Sequence, residues 1–404
     1  MSTKMSLLED SNQPSELLDE NASKPVPIVL FFLLGNASLL AYNIAINAID
    51  IFSPLFSDLN INIGADISRS YNIPSAIISF LLIFFKPKNL RVSIVISLSI
   101  LILVMCIMPI LFSIESLTKQ VRNLYWAVII VIGCMAVFSS LVFSSTYAFA
   151  SQCGEKASAA VSSGNGACGV IAAFLRVITK LTLSKYEDIS SLIYYSVAAI
   201  VILLSLIYFA IVTEKNKDSI SHYLVQESGT SSLPSIRDLL ATIRIIWIEW
   251  SSVALNFVIT LTLFPGYVTD TRQGKLGSWS FVLVTTVFCI FDWLGRFLPS
   301  VFMFPPRKFA WIPVVCRLLF FVVFMISIQG AADLGEPYWS ILWQIPFALT
   351  NGYCGTVSLI YGSNHEKCDL EQRKQGSFLI SFAINAGILL AMCLTYAMPA
   401  GKHL

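Results

Sequence analysis

Charge is scarce in this chain. Only 12% of its 404 residues are charged, about half the ~25% of a soluble domain. Histidine is almost missing, with three copies at His222, His365 and His403, all in loops or the tail. The nine cysteines show no paired spacing, which argues against a disulfide framework or a zinc site. No cofactor and no metal are therefore expected. GxSxG, HExxH and the Walker loop are all absent, and no nucleophile or paired-carboxylate constellation points to catalysis. The chain does not read as an enzyme. A formal net charge of +2 is too small to draw in nucleic acid. Residues 1–24 are polar and acidic, with Glu9, Asp10, Glu16, Asp19 and Glu20 and no apolar run. They read as a disordered cytosolic tail rather than a signal peptide.

Apolar residues are what the chain has. They make up 56% of it, Phe alone contributes 28, and mean hydropathy is +0.75. That composition predicts an all-α polytopic membrane protein. A spanning helix needs ~20 mostly apolar residues, and eleven stretches qualify, at roughly 27–49, 66–86, 91–113, 124–149, 161–183, 189–212, 241–265, 279–303, 309–330, 338–361 and 376–398. The second is the least apolar, with Ser68, Arg69, Asn72 and Pro74 near its start. The polar break at Thr213–Asp238 divides the helices six and five. The expected organisation is a tail over 1–26, a six-helix bundle over 27–212, a cytosolic linker over 213–240 and a five-helix bundle over 241–404. Lys and Arg at span ends favour one side roughly twofold, which places the N-terminus in the cytosol. An odd number of spans then puts the C-terminus outside.

Polar residues inside the spans carry the functional signal. Asp292 and Arg296 are four apart in an otherwise apolar stretch, so they share a helix face and can pair. Each charge at mid-bilayer costs at least ~2.5–3.5 kcal/mol on insertion scales and normally faces a cavity or a partner helix. Asn36, Asn43 and Asn47 line one face of the first helix, as interhelical glue or as a shared polar cavity. Ser139, Ser140, Ser144 and Ser145 in the fourth helix either bond back to their own backbone or face that cavity. The small-residue run Ser162–Gly169 suits close packing, with Asn165 a polar contact. Pro265-Gly266 stops the seventh helix or hinges it. Arg317 lies about 12 Å into the ninth helix at ~1.5 Å per residue, shallow enough to snorkel to the cytosolic surface. Glu249, between Trp247 and Trp250, reads as interfacial. Gln344, Thr350, Asn351 and Asn385 add polar groups to the last two helices.

Six short motifs fall in order on these helices. They are Leu39-Leu40-Ala41-Tyr42-Asn43, Ser163-Gly164-Asn165-Gly166, Phe257-x-x-Thr260 to Phe264-Pro265, Phe291-Asp292-Trp293-Leu294-Gly295-Arg296, Trp311-Ile312-Pro313 with Arg317, and Thr350-Asn351-Gly352-Tyr353. Together they resemble the equilibrative nucleoside transporter family along nearly the whole chain. The resemblance implies a major-facilitator-like fold with a central site between the bundles. It implies that Asp292 and Arg296 contact sugar hydroxyls, which suits an acceptor beside a donor, with Cys289 in the same site. It also implies that Leu39, Tyr42, Asn43 and Ile46 line the base side, and that Ile46 and Pro265 form an outer gate. Two departures stand out. Ala41-Tyr42 replaces Pro-Trp, and Ser144, or Ser140 one turn earlier, stands where relatives carry a glutamine. A hydroxyl reaches less far than a carboxamide and has one donor instead of two, so base choice is the property these changes affect. The expected activity is facilitated diffusion of nucleosides, and of nucleobases, by a plasma-membrane monomer working through alternating access. The alternatives are a carrier for another small polar solute and a non-transporting membrane scaffold.

Overall fold

Hydrophobic stretches this long satisfy their backbone polar groups only as helices in lipid, and helices are what form. A computed structural model describes residues 26–114, 120–183, 187–224, 235–264, 279–328 and 337–397. The first bundle contains α1 (Ile28–Asn47), short α2 (Ile49–Leu55), α3 (Ile63–Phe84), α4 (Leu90–Ser113), α5 (Val121–Cys153), α6 (Glu155–Thr182) and α7 (Glu187–Lys215). Short α8 (Lys217–Leu224) follows. The second bundle contains α9 (Ile236–Thr262), α10 (Ser280–Phe297), α11 (Trp311–Cys316), α12 (Leu319–Ile328), α13 (Pro337–Ser363) and α14 (Leu370–Ala397).

Helix starts follow capping chemistry. Asn62 accepts from Ala65 N at 3.1 Å to open α3, and Asn89 accepts from Val92 N at 3.1 Å to open α4. Such caps satisfy a backbone donor that a helix start leaves unpaired. α5 and α6 are separated by Gly154 alone, at φ +101°, a left-handed conformation that favours glycine. Two reciprocal glycine contacts bring helix backbones together. A Cβ on Gly35 would lie 2.2 Å from Val161 O, and one on Gly164 would lie 2.0 Å from Phe32 O, locking α1 to α6. A Cβ on Gly295 would lie 2.2 Å from Leu349 O, and one on Gly352 would lie 2.0 Å from Asp292 O, locking α10 to α13. The core of the first bundle forms around α1, with Phe31, Leu34 and Leu40 fully buried. A smaller core of Ile259, Leu263, Val284, Phe324 and Phe347 sits in the second.

Among the described residues, ten helices are long and apolar enough to cross a membrane. The remaining expected span is present as α13, which has the length but carries Gln344, Thr350 and Asn351 among its apolar residues. α3 runs unbroken through Pro74. The ninth expected span is interrupted, because α11 and α12 are joined by a turn at Arg317 and Leu318. Arg317 does not snorkel: it is 2% exposed and points into the bundle. Its donors are drawn there by acceptors on α9 and α13, described below. Glu249 is also buried, 3.4 Å from Arg307 Nε. Pro265 and its hinge or stop lie outside the described residues.

Candidate functional site

The spacing of four on α10 does what it predicts. Arg296 Nε donates to Asp292 Oδ2 at 2.7 Å. The other carboxylate oxygen, Oδ1, accepts from Asn351 Nδ2 at 2.7 Å. Asn351 reaches it because the Gly295–Gly352 contact lets α13 lie directly against α10. Asn351 Oδ1 in turn accepts from Asn256 Nδ2 at 2.9 Å and from Thr260 Oγ1 at 2.6 Å, both on α9. Arg317 closes the network. It donates to the Asn256 side-chain oxygen, to Asn256 O at 3.1 Å and to Thr260 Oγ1 at 2.8 Å. Its guanidinium also lies over the Phe347 ring, 5.2 Å from the centroid. Two arginines and one aspartate thus share one buried network, and Arg317 contacts neutral groups. Buried charges are tolerated when their hydrogen-bonding capacity is met in this way.

The pair faces a cavity of about 210 Å³ between the two bundles. From the first bundle, α1 contributes Leu39, Tyr42 and Asn43, α3 contributes Tyr71, Asn72 and Ser75, and α5 contributes Ser139, Ser140, Phe143 and Tyr147. α6 adds Asn165, Gly166 and Gly169. The facing wall includes Phe257, Thr260, Phe288, Cys289, Asn351 and Asn385. Tyr42 and Tyr71 stack with centroids 4.0 Å apart. Asn43 uses its N–H groups on Leu39 O at 3.0 Å and Cys168 Sγ at 3.2 Å, which leaves Oδ1 as its acceptor. Asn165 donates to Tyr147 Oη at 2.9 Å and accepts from Ser38 Oγ at 2.9 Å, tying α1, α5 and α6 together. Ser75 bonds Ser140 at 2.6 Å and Asn385 Oδ1 at 2.8 Å, linking the bundles across the cavity wall. Such a space, aromatic and apolar with a few convergent polar groups, has the character of a small-molecule site.

The expected site residues divide into three groups. Asp292, Arg296, Asn43, Tyr42, Leu39, Ser140 and Cys289 all line this cavity. Ile46 and Ser144 do not. Ile46 is on the same α1 face one turn further along and packs against the core, and Ser144 is buried one turn beyond Ser140. Pro265 is outside the described residues. The asparagine stripe of α1 also divides, because Asn36 packs beside Gly164 while Asn43 reaches the cavity. Tyr71, Asn72 and Ser75 were not expected in the site. The polarity that makes α3 the least apolar span is the signal that marks its cavity face.

Two helical bundles enclosing a central polar cavity give the chain a major-facilitator-like fold. The structure superimposes on a proton:xylose symporter of that superfamily solved with a bromodeoxyglucose, at TM-score 0.62, 12% identity, 93% of this chain and 88% of the other. It also matches the E. coli fucose:proton symporter at TM-score 0.54, 12% identity, 93% of this chain and 97% of that one. The pattern of the family described as Nucleoside transporter matches residues 212–400. Equilibrative nucleotide transporter 1 of Arabidopsis thaliana is 23% identical, over 98% of this chain and 89% of its own length. Equilibrative nucleoside transporter 1 of Rattus norvegicus is 24% identical, over 92% and 96% respectively. With its motifs in order along the helices, the chain is similar to equilibrative nucleoside transporters along most of its length.

Proposed function

We propose that this chain carries nucleosides across a membrane by facilitated alternating access, down the solute gradient. The observation that carries the reading is the Asp292–Arg296 pair, held between bundles at the wall of an aromatic cavity. A nucleoside has a flat apolar base and a sugar rich in hydroxyls. The Tyr42–Tyr71 stack with Leu39 and Phe143 offers flat apolar surface for the base, and aromatic stacking is sequence-tolerant because every base has a π-face. Arg296 donates to sugar hydroxyls and Asp292 accepts from them. Asn43 offers an acceptor near the base, Ser140 a hydroxyl, and Cys289 packs one turn from Asp292. This set suits nucleobases as well, through its aromatic part. Ile46, on the α1 face one turn beyond Tyr42, is assigned to an outer gate together with Pro265.

No catalytic step enters this reading. The working form is a multi-pass monomer of the plasma membrane, with the N-terminus cytosolic and the C-terminus extracellular, as the bias of basic residues favours. Residues 1–26 then form a cytosolic tail and 213–240 a cytosolic link between the bundles. Saturable uptake of radiolabelled nucleosides by proteoliposomes holding the purified protein tests the function. Failure of every nucleoside and nucleobase to enter faster than into empty liposomes refutes it.

A further inference from the structure

Arg317 and Asn256 are fully buried behind the cavity wall and do not line it. We propose that they are positioning residues that fix the direction of the hydrogen bonds reaching Asp292, and through it the orientation of Arg296. The argument is one of donors and acceptors. A guanidinium only donates, whereas a carboxamide presents an oxygen on one side and an NH₂ on the other. Arg317 holds the Asn256 side-chain oxygen as an acceptor. Asn256 Nδ2 must then face outward, and it donates to Asn351 Oδ1 at 2.9 Å. With its oxygen so engaged, Asn351 turns Nδ2 toward Asp292 Oδ1 at 2.7 Å. Reversing Asn256 would set an NH₂ against the guanidinium. Reversing Asn351 would set an oxygen against a carboxylate. Polarity therefore runs one way along the chain, from Arg317 through two asparagines to Asp292.

The end of that chain is the binding pair. Asn351 holds one Asp292 oxygen, so the other is presented to Arg296 Nε at 2.7 Å. Arg296 commits Nε there and keeps both terminal NH₂ groups for a bound hydroxyl. Three helices and the turn at Arg317 thereby aim one guanidinium. The proposal rests on the reading of the pair as the site that contacts sugar hydroxyls.

Asn256→Asp inverts the polarity at nearly constant shape. The new carboxylate would pair with Arg317, an outcome that a purely structural role tolerates or favours. It would also present an oxygen toward Asn351, which would turn its NH₂ to meet it and face Asp292 with its own oxygen. Uptake of adenosine and of 3′-deoxyadenosine into proteoliposomes is measured for both proteins. For Asn256→Asp, KM for adenosine is expected to rise about tenfold, the loss of one hydrogen bond to a charged group. KM for 3′-deoxyadenosine moves far less, and the wild-type preference narrows. Wild-type protein that carries adenosine, alongside an Asn256→Asp variant with unchanged KM and unchanged preference, overturns the proposal and leaves the function standing. Wild-type protein that carries no nucleoside refutes the function itself. If Asn256→Asp gives no measurable uptake, Arg317→Lys and Arg317→Gln decide. Lysine, also a pure donor, keeps the preference; glutamine, able to present its oxygen, loses it. Equal preferences in the two variants overturn the proposal.

Discussion

Asp292 and Arg296 neutralise each other inside a helix that is otherwise apolar, and each is the reason the other can be there. Removing one partner of a buried pair costs about 3–5 kcal/mol, because the remaining charge keeps its burial and loses its compensation. Arg296→Ala is therefore expected to lower nucleoside uptake by about two orders of magnitude or more, with membrane insertion retained. Uptake normalised to surface-labelled protein checks this. Arg296→Lys is expected to recover little, because an ammonium lacks the guanidinium's fork of donors. Spacing alone disclosed this pair, since residues four apart on a helix must share a face. Spacing could not disclose the fate of Arg317. Counting residues gives depth along a helix but not the neighbour it faces, and Asn256, Thr260 and Thr350 draw it inward from other elements.

Helix contacts set the precision of the site. α10 and α13 meet at Gly295 and Gly352, where a Cβ would come within 2.2 and 2.0 Å of backbone oxygens. Gly352→Ala must part the helices, and overpacking of this kind costs about 1–3 kcal/mol or more. Both thermal stability and uptake are expected to fall, because Asn351 would leave Asp292. Gly133→Ala, whose Cβ would find Ser70 O at a comfortable 3.8 Å, is the control and should match wild type in a thermal unfolding scan. The turn joining α13 to α14 carries a separate pH signature. Burial, then Arg307 and Lys367, hold the His365 imidazole below its usual pKa, with Glu366 acting weakly the other way. The folded protein thus resists a proton that the unfolded chain accepts. This stability contribution is whole above the unfolded pKa of ~6.5 and is lost progressively as pH falls below it. His365→Gln is expected to flatten the acid side of a stability–pH curve, and an unchanged slope would contradict that. At this scale the existence of the spans was legible from hydropathy. The Arg317 break and the cavity face of α3 were not, because both depend on what packs alongside.

The two bundles meet largely through neutral groups. Ser162 Oγ and Thr356 Oγ1 lie 2.6 Å apart, and Asn364 Nδ2 donates to Ser158 Oγ at 3.0 Å, both on the side where α5 turns into α6. Phe80 and Phe382 meet 5.4 Å apart across the same interface. Each hydrogen bond of this kind is worth about 0.5–1.5 kcal/mol net, which suits an interface that must open and close in every transport cycle. Replacing Ser162 with Ala and Thr356 with Val is expected to shift the population about five- to tenfold toward opening on that side. Alkylation of Cys289 in the cavity by an impermeant thiol reagent, read by peptide mass spectrometry, should become faster from that face only. The division into two bundles was legible from the long polar break in the sequence, but which contacts close the cavity was not, since serine pairs leave no pattern along one chain. The most direct measurement is nucleoside uptake into proteoliposomes by the wild-type protein and by Arg296→Ala, with and without an imposed pH gradient. Saturable uptake that ignores the pH gradient and disappears in Arg296→Ala is the expected result. Absence of nucleoside uptake by the wild type, or full uptake by Arg296→Ala, would contradict a nucleoside site built on Asp292 and Arg296.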